Sequence, residues 1–320
     1  ELALATGAVD VMLVDVQCIM PAVVEHAGRF HTKVITTSPK AKMRNAEHVQ
    51  FSEDRGYSIA KDIIKRAIEN YPNRRDTDIP QVTEDLVAGF TAENIFKHVG
   101  GRYRPSYRPV NNGIIDGRLR GIAAVIGCNT PQKVQDKSHW EMVTEFLKND
   151  VLVVQTGCSA HASAKRGLLR PEAAMEHAGQ GLQEICRAVG IPPILHLGSC
   201  VDNSRILVAL CELVNEGGIG KELCELPIVG AAPEAMCEKA IAYVGYSPTM
   251  RVTGAPEVLK FLTEGIAEIT GGRFDFEEDP VQAARNMIDH IDEKRKALGL
   301  GPTMYPVPYE GNQDVSARRA

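Results

Sequence analysis

The chain has 320 residues, a formal charge of -5, and 44% apolar and 24% charged residues. That length suits two domains rather than one core, and the composition is that of an ordinary globular protein. The acidic balance leaves no basic footprint for nucleic acid, and no run of about 18 apolar residues offers a membrane insertion.

The opening Glu1-Leu2-Ala3-Leu4-Ala5-Thr6-Gly7 has neither a starting Met nor a basic leader. It reads as a helix entered partway and ended by Gly7, the expectation for a chain cut from something longer. A strand over 9–16, a short helix over 22–27 and a strand over 33–37 follow. Ile59, Ile63 and Ala67, with Ala60, Ile64 and Ile68, then recur at i, i+4 and mark a helix over 55–71. The polar stretch 72–84, with two prolines, is the best domain boundary. The organisation expected is 1–75 as the closing part of one domain, 76–300 as a second domain, and 301–320 as an extended tail.

From residue 85 strands and helices alternate. Strands are expected at 86–90, 119–127, 151–154, 194–197 and 227–230. Helices are expected at 91–99, 111–117, 138–148 (capped by Ser138 with Glu141 three residues on), 233–244, 255–270 and 279–298. Glu277-Glu278-Asp279 gives the last of these an acidic N-terminus, favourable with its dipole. This alternation predicts an α/β fold with a doubly wound parallel sheet.

Eight cysteines in a core-rich chain argue against a disulfide framework. Cys186, Cys211, Cys224 and Cys237 fall in helical patterns or a loop and read as buried thiols. The other four follow strands. Val151-Leu152-Val153-Val154 leads to Gly157-Cys158, and Ile194-Leu195-His196-Leu197 to Gly198-Ser199-Cys200. Strand 119–127 leads to Cys128, and strand 9–16 to Gln17-Cys18. Each thiol is thereby expected on the carboxyl rim, where open α/β sheets bind ligands. No dinucleotide or P-loop fingerprint is present, and no close C-x-x-C pair suggests a zinc site. A catalytic thiol at Cys158, near His161, accounts for one cysteine only. Thiolates distant in sequence but gathered on one rim suit a larger soft-metal cluster. On pattern alone, metal cluster, structural thiols and nucleophile all remain open. His161 and His196 flank the rim, His139 reads as structural, and Asp202, Asn203 and Arg205 read as capping or loop-holding residues.

Gln17-Cys18-Ile19-Met20-Pro21, Gly127-Cys128-Asn129, Asn149-Asp150-Val151 leading to Thr156-Gly157-Cys158, and Gly198-Ser199-Cys200-Val201-Asp202-Asn203-Ser204-Arg205 resemble the anaerobic nickel–iron–sulfur carbon monoxide dehydrogenases. So does the closing helix from Met287-Ile288-Asp289-His290 to Leu298-Gly299. The resemblance runs from residue 1 to about 300. It implies Rossmann-like doubly wound sheets of the prismane/CO dehydrogenase kind: the end of a middle domain, then the C-terminal domain. It also implies a Ni-Fe-S C-cluster that interconverts CO and water with CO2, two protons and two electrons. By motif, Cys18, Cys128 and Cys158 would bind iron and Cys200 nickel. Lys239, in Pro233-Glu234-Ala235-Met236-Cys237-Glu238-Lys239-Ala240, would supply a catalytic cation.

Two departures stand out. The family's histidine and cysteine for the exposed iron precede the Cys18 motif and have no counterpart here, nor do the cysteines of its further 4Fe-4S clusters. The stretch 241–253 is also shorter than usual. The resemblance therefore implies a partial catalytic subunit, inactive alone. It further implies a cytoplasmic homodimer in the full-length form, serving a ferredoxin-like carrier, with acetyl-CoA synthase as a candidate partner. A hybrid-cluster-type oxidoreductase is the nearest rival, and a non-catalytic remnant or assembly module with the same fold is another.

Overall fold

The computed structural model describes residues 2–16, 19–100, 105–130, 133–234, 252–254 and 274–311. The chain divides into two compact units, 1–84 and 85–320.

In the first unit, helix α1 (Leu2–Ala5) ends at Gly7, whose φ of 68° reverses the chain. Strands β1 (Val11–Val14), β2 (Lys33–Thr36) and β3 (Glu47–His48) pair in parallel, in that order. Helix α2 (Ala22–Ala27) joins the first two strands, and α3 (Gly56–Asn70) follows the third. Of the apolar stripe expected on α3, Ile59 and Ile63 are buried with Ile35. Ile64 and Ile68 stay exposed, because three strands cover only one row of the helix face.

The second unit carries six parallel strands: β4 (Gly121–Val125), β5 (Val151–Gln155), β6 (Ile194–His196), β7 (Ile228–Ala231), β8 (Val252–Gly254) and β9 (Phe274–Phe276). Their spatial order is β6-β5-β4-β7-β8-β9, the doubly wound order whose switch point lies between β4 and β7. Every residue of β4 and β5 is buried, as a sheet covered on both faces requires. Ile122, Leu152 and Val154 meet residues of α4 (Ala92–Gly100), α5 (Arg108–Ile115) and α10 (Ser204–Glu216) around one apolar space. Helices α6 (Lys137–Lys148) and α11 (Pro280–Ala297) pack on each other and on the central strands. Between these come α7 (Gly157–Ala164), α8 (Ala173–His177) and α9 (Gln180–Val189).

The structure departs from the sequence expectations in several places. Residues 86–90 form no strand: the N–H groups of Gly89 and Phe90 both converge on the His196 carbonyl, which a ladder would not do. Helix α5 begins three residues earlier than the pattern implies, with Pro109 in its first turn, where the missing N–H costs nothing. Ser138 does not cap α6. The cap position belongs to Asp136 at φ 66°, and Ser138 is buried inside the first turn. Strand β1, which leads to Cys18, belongs to the other unit's sheet, so the four thiols do not follow strands of one sheet. Cys18, Cys237, Lys239 and the helices expected at 233–244 and 255–270 lie outside the described residues. Asp279 does cap α11, accepting from the N–H groups of Val281 and Gln282.

Candidate metal centre

Three adjacent strands each end in a thiol at the carboxyl edge: β6 before Cys200, β5 before Cys158, β4 before Cys128. Gly157 begins α7 at φ 59°, and its N–H donates to the Gly198 carbonyl at 2.9 Å. A methyl group at Gly157 would stand 3.2 Å from the Cys200 Cβ, so a side chain there would crowd the place where the two thiol-bearing loops meet, and the positive φ favours glycine as well. Gly198, at φ 131°, leaves room for the Asp202 carboxylate, which a Cβ there would approach to 2.5 Å.

Cys158 stands in the first turn of α7. Its thiol is lowered to about 6: Cys128 donates to the sulfur, burial opposes the shift, and the Asn129 N–H and Lys165 favour the anion against nearby Asp136. A helix N-terminus acts in the same direction. At neutral pH Cys158 is therefore a thiolate, the form that binds metal. Cys186 sits in α9, where burial pushes its thiol up to about 12, and it is a core residue as expected. Cys211 is exposed, against expectation, and Cys224 is half-buried.

The Cys200 loop is held by Asp202 and Arg205. Asp202 accepts from the Ser199 N–H at 2.8 Å, and Arg205 bridges Asp202 and the Leu197 carbonyl. Asn203 accepts a short hydrogen bond from the Thr156 hydroxyl, tying the turn before α7 to the start of α10. His196 behaves as a core hydrogen-bonder, its Nδ1 accepting from the Gly198 N–H at 3.1 Å. His161 is exposed.

Around Cys128 stand Asp136 and Glu234, which pattern reading passed over, and His139, which it read as structural. Asp136 pairs with Lys165 and exchanges two hydrogen bonds with Asn129. His139 donates to the Cys128 carbonyl, and burial keeps its pKa below the usual imidazole range. Glu234 accepts from the Thr130 N–H. The one available signal was Pro233-Glu234 directly after a strand end.

The donor set fits a soft-metal cluster. It offers sulfur from three separate loops, one thiol already ionised, with two glycines that let the loops close on each other. Among the described residues no three His, Cys, Asp or Glu converge on a single-ion spacing, whereas a cluster spanning several iron atoms takes one thiolate per metal.

Residues 1–281 match the model of the Prismane/CO dehydrogenase family. Carbon monoxide dehydrogenase 1 of Methanosarcina mazei is 46% identical over 312 residues, covering 94% of this chain and 49% of that protein. The beta subunit of carbon monoxide dehydrogenase/acetyl-CoA synthase from Moorella thermoacetica is 38% identical, covering 94% and 48%. A solved nickel-free carbon monoxide dehydrogenase from Thermococcus sp. AM4 superposes with a TM-score of 0.79 at 43% identity, covering 94% of this chain and 48% of that one. The chain thus spans about half the length of the relatives it matches. Its parallel sheet, its row of strand-end thiols and these likenesses together place the chain in the Prismane/CO dehydrogenase family.

Proposed function

We propose that this chain is the C-terminal portion of a carbon monoxide dehydrogenase catalytic subunit, and that Cys18, Cys128, Cys158 and Cys200 hold its nickel–iron–sulfur cluster. Cys18, Cys128 and Cys158 serve iron and Cys200 serves nickel. When bound, the cluster supplies the redox centre at which CO and water are converted to CO2, two protons and two electrons. The observation that carries this reading is the row Cys200–Cys158–Cys128 on three adjacent strand ends.

The chain's own residues then have distinct tasks. On binding metal, Cys158 and Cys128 together release one proton rather than two, since they already share a single proton between their sulfurs. Asp202 and Arg205 orient the Cys200 loop. The Lys239 ammonium stabilises negative charge developing on the substrate and passes protons. Residues 1–75 close a middle Rossmann-like domain, and 76–300 form the C-terminal one. Further 4Fe-4S clusters and the remaining cluster ligands come from sequence outside these 320 residues, so the chain is inactive alone. In the complete protein, a homodimer in the cytoplasm passes electrons to a ferredoxin-like carrier. The likeness to a subunit of a carbon monoxide dehydrogenase/acetyl-CoA synthase supports acetyl-CoA synthase as a further partner.

The test is anaerobic reconstitution with iron, sulfide and nickel, on the wild type and on Cys200→Ala. Iron and sulfide are expected in both, with nickel lost only from the variant. Absence of iron from both would remove the cluster reading for this chain and leave the fold.

A further inference from the structure

The row of strand ends does not stop at Cys128. Across the switch point β7 pairs with β4, Ala231 opposite Val125, and three residues beyond β7 stands Glu234, fully buried. The carboxyl edge thus reads Cys200, Cys158, Cys128, Glu234 in spatial order.

Cys128, Asn129 and Thr130, consecutive in the loop after β4, are each gripped by a different side chain. His139, from α6, donates Nε2–H to the Cys128 carbonyl at 3.0 Å. Asp136, at the cap of α6, closes a two-bond ring with the Asn129 side chain, at 3.0 and 3.2 Å. Glu234 Oε2 accepts from the Thr130 N–H at 2.9 Å. Asp136 also pairs with Lys165, whereas His139 and Glu234 are both wholly buried.

This burial is costly. His139 Nδ1 and Glu234 Oε1 have no hydrogen-bond partner among the described residues. A buried carboxylate or imidazole with unused capacity destabilises a fold relative to a well-packed apolar side chain. What each residue does satisfy is a backbone group of the loop after β4, so its burial serves the placement of that loop. They approach it from opposite sides of the switch point, one from α6 and one from the end of β7.

We propose that His139 and Glu234 are positioning residues that set the Cys128 loop so that its thiol meets Cys158. The consequence for metal uptake rests on Cys128 being a cluster ligand; the placement of the loop does not.

The test uses the metal-free 320-residue chain and a short bifunctional thiol reagent, dibromobimane, with the Cys128–Cys158 cross-link quantified by peptide mapping. His139→Ala and Glu234→Ala are expected to lower the cross-linked yield about fivefold, the size of one lost buried hydrogen bond. His139→Gln keeps an N–H donor and Glu234→Gln keeps an acceptor, so both are expected to restore it. Protection of Cys186 from the reagent reports that the fold is intact. If Glu234→Ala exposes Cys186, Glu234→Leu fills the space and removes only the acceptor. Alanine variants that cross-link like the wild type, or glutamine variants that fall as far as alanine, overturn the proposal. Iron and sulfide content after anaerobic reconstitution separates the two readings. Loss of the cross-link in the alanine variants, with no iron bound even by the wild type, ends the cluster reading alone. Iron bound by the wild type with unchanged cross-linking in every variant ends the positioning proposal alone.

Discussion

Two cysteines of this chain differ in acidity by their surroundings alone. Cys158 is lowered to about 6, chiefly because Cys128 donates to its sulfur, while burial lifts Cys186 to about 12. Only thiolate reacts with iodoacetamide. In the metal-free chain, alkylation of Cys158 is therefore expected to rise through a midpoint near pH 6, with Cys186 silent up to pH 9. Cys128→Ala removes the donor, so the midpoint should move up toward the ordinary thiol value; an unmoved midpoint would show that the helix terminus sets it instead. At this scale the sequence was legible where a residue type carries its own chemistry. Cysteine after a strand and glycine beside it were readable, since a rim thiol needs both. His139 was readable only as structural, and Asp136 and Glu234 not at all, because their part depends on which carbonyl or N–H they meet across the fold. Cys211 was misread for the same reason, since a helical pattern does not say which face turns outward.

Elements are bound to each other by groups whose pattern value is nil. Asp150, at φ 58° just ahead of β5, is wholly buried and accepts the N–H of Leu182 in the first turn of α9, at 2.9 Å. Burial outweighs the backbone donors from Leu182 and Gly181, and its carboxyl is pushed up to about 6 from 3.8. A raised carboxyl binds its proton more tightly when folded. Its stabilising contribution is complete below pH 3.8 and lost as pH rises through 6. The span amounts to about 3 kcal/mol. Asp150→Asn keeps an acceptor and tolerates the left-handed backbone, so denaturant titrations should show the variant gaining on the wild type by about that much between pH 4 and pH 8. Equal stability profiles at both pH values would mean that the carboxyl stays ionised in the fold. Alternation of apolar runs with amphipathic stretches made most elements readable, to within a few residues. The failures have local causes. Residues 86–90 look like a strand but find one carbonyl rather than a ladder, and Ser138 looks like a cap but is displaced by Asp136.

At the scale of the second unit, chemistry and stability occupy opposite edges of one sheet. The thiols and Glu234 stand at the carboxyl ends. The amino ends are bound by Arg295 of α11, whose guanidinium is buried and donates to the carbonyls of Ile114, Leu119, Arg120 and Gly301. The tail continues this brace, which its composition did not reveal: proline spacing suggests an extended segment but not what it touches. Arg120, just ahead of β4, donates to the Tyr309 carbonyl at 2.7 Å and forms a two-bond pair with Asp292. The Tyr309 N–H donates to Asn149 Oδ1 at 2.9 Å, its phenol donates to Asp289, and Arg285 lies over its ring. Deleting residues 302–320 removes the three hydrogen bonds of Tyr309 at the amino edge and touches nothing described at the carboxyl edge. The loss expected is about 5 kcal/mol, for one neutral and two charge-assisted hydrogen bonds, read as a lower denaturant midpoint. The alkylation midpoint of Cys158 and the Cys128–Cys158 cross-link should stay as in the full chain, because the thiol row is positioned from β4, β5, β6 and β7 without the tail. If truncation instead shifts the Cys158 midpoint while the core remains folded, the two edges are mechanically coupled. The strands would then transmit the tail's grip along their length, and the tail would count as part of the site.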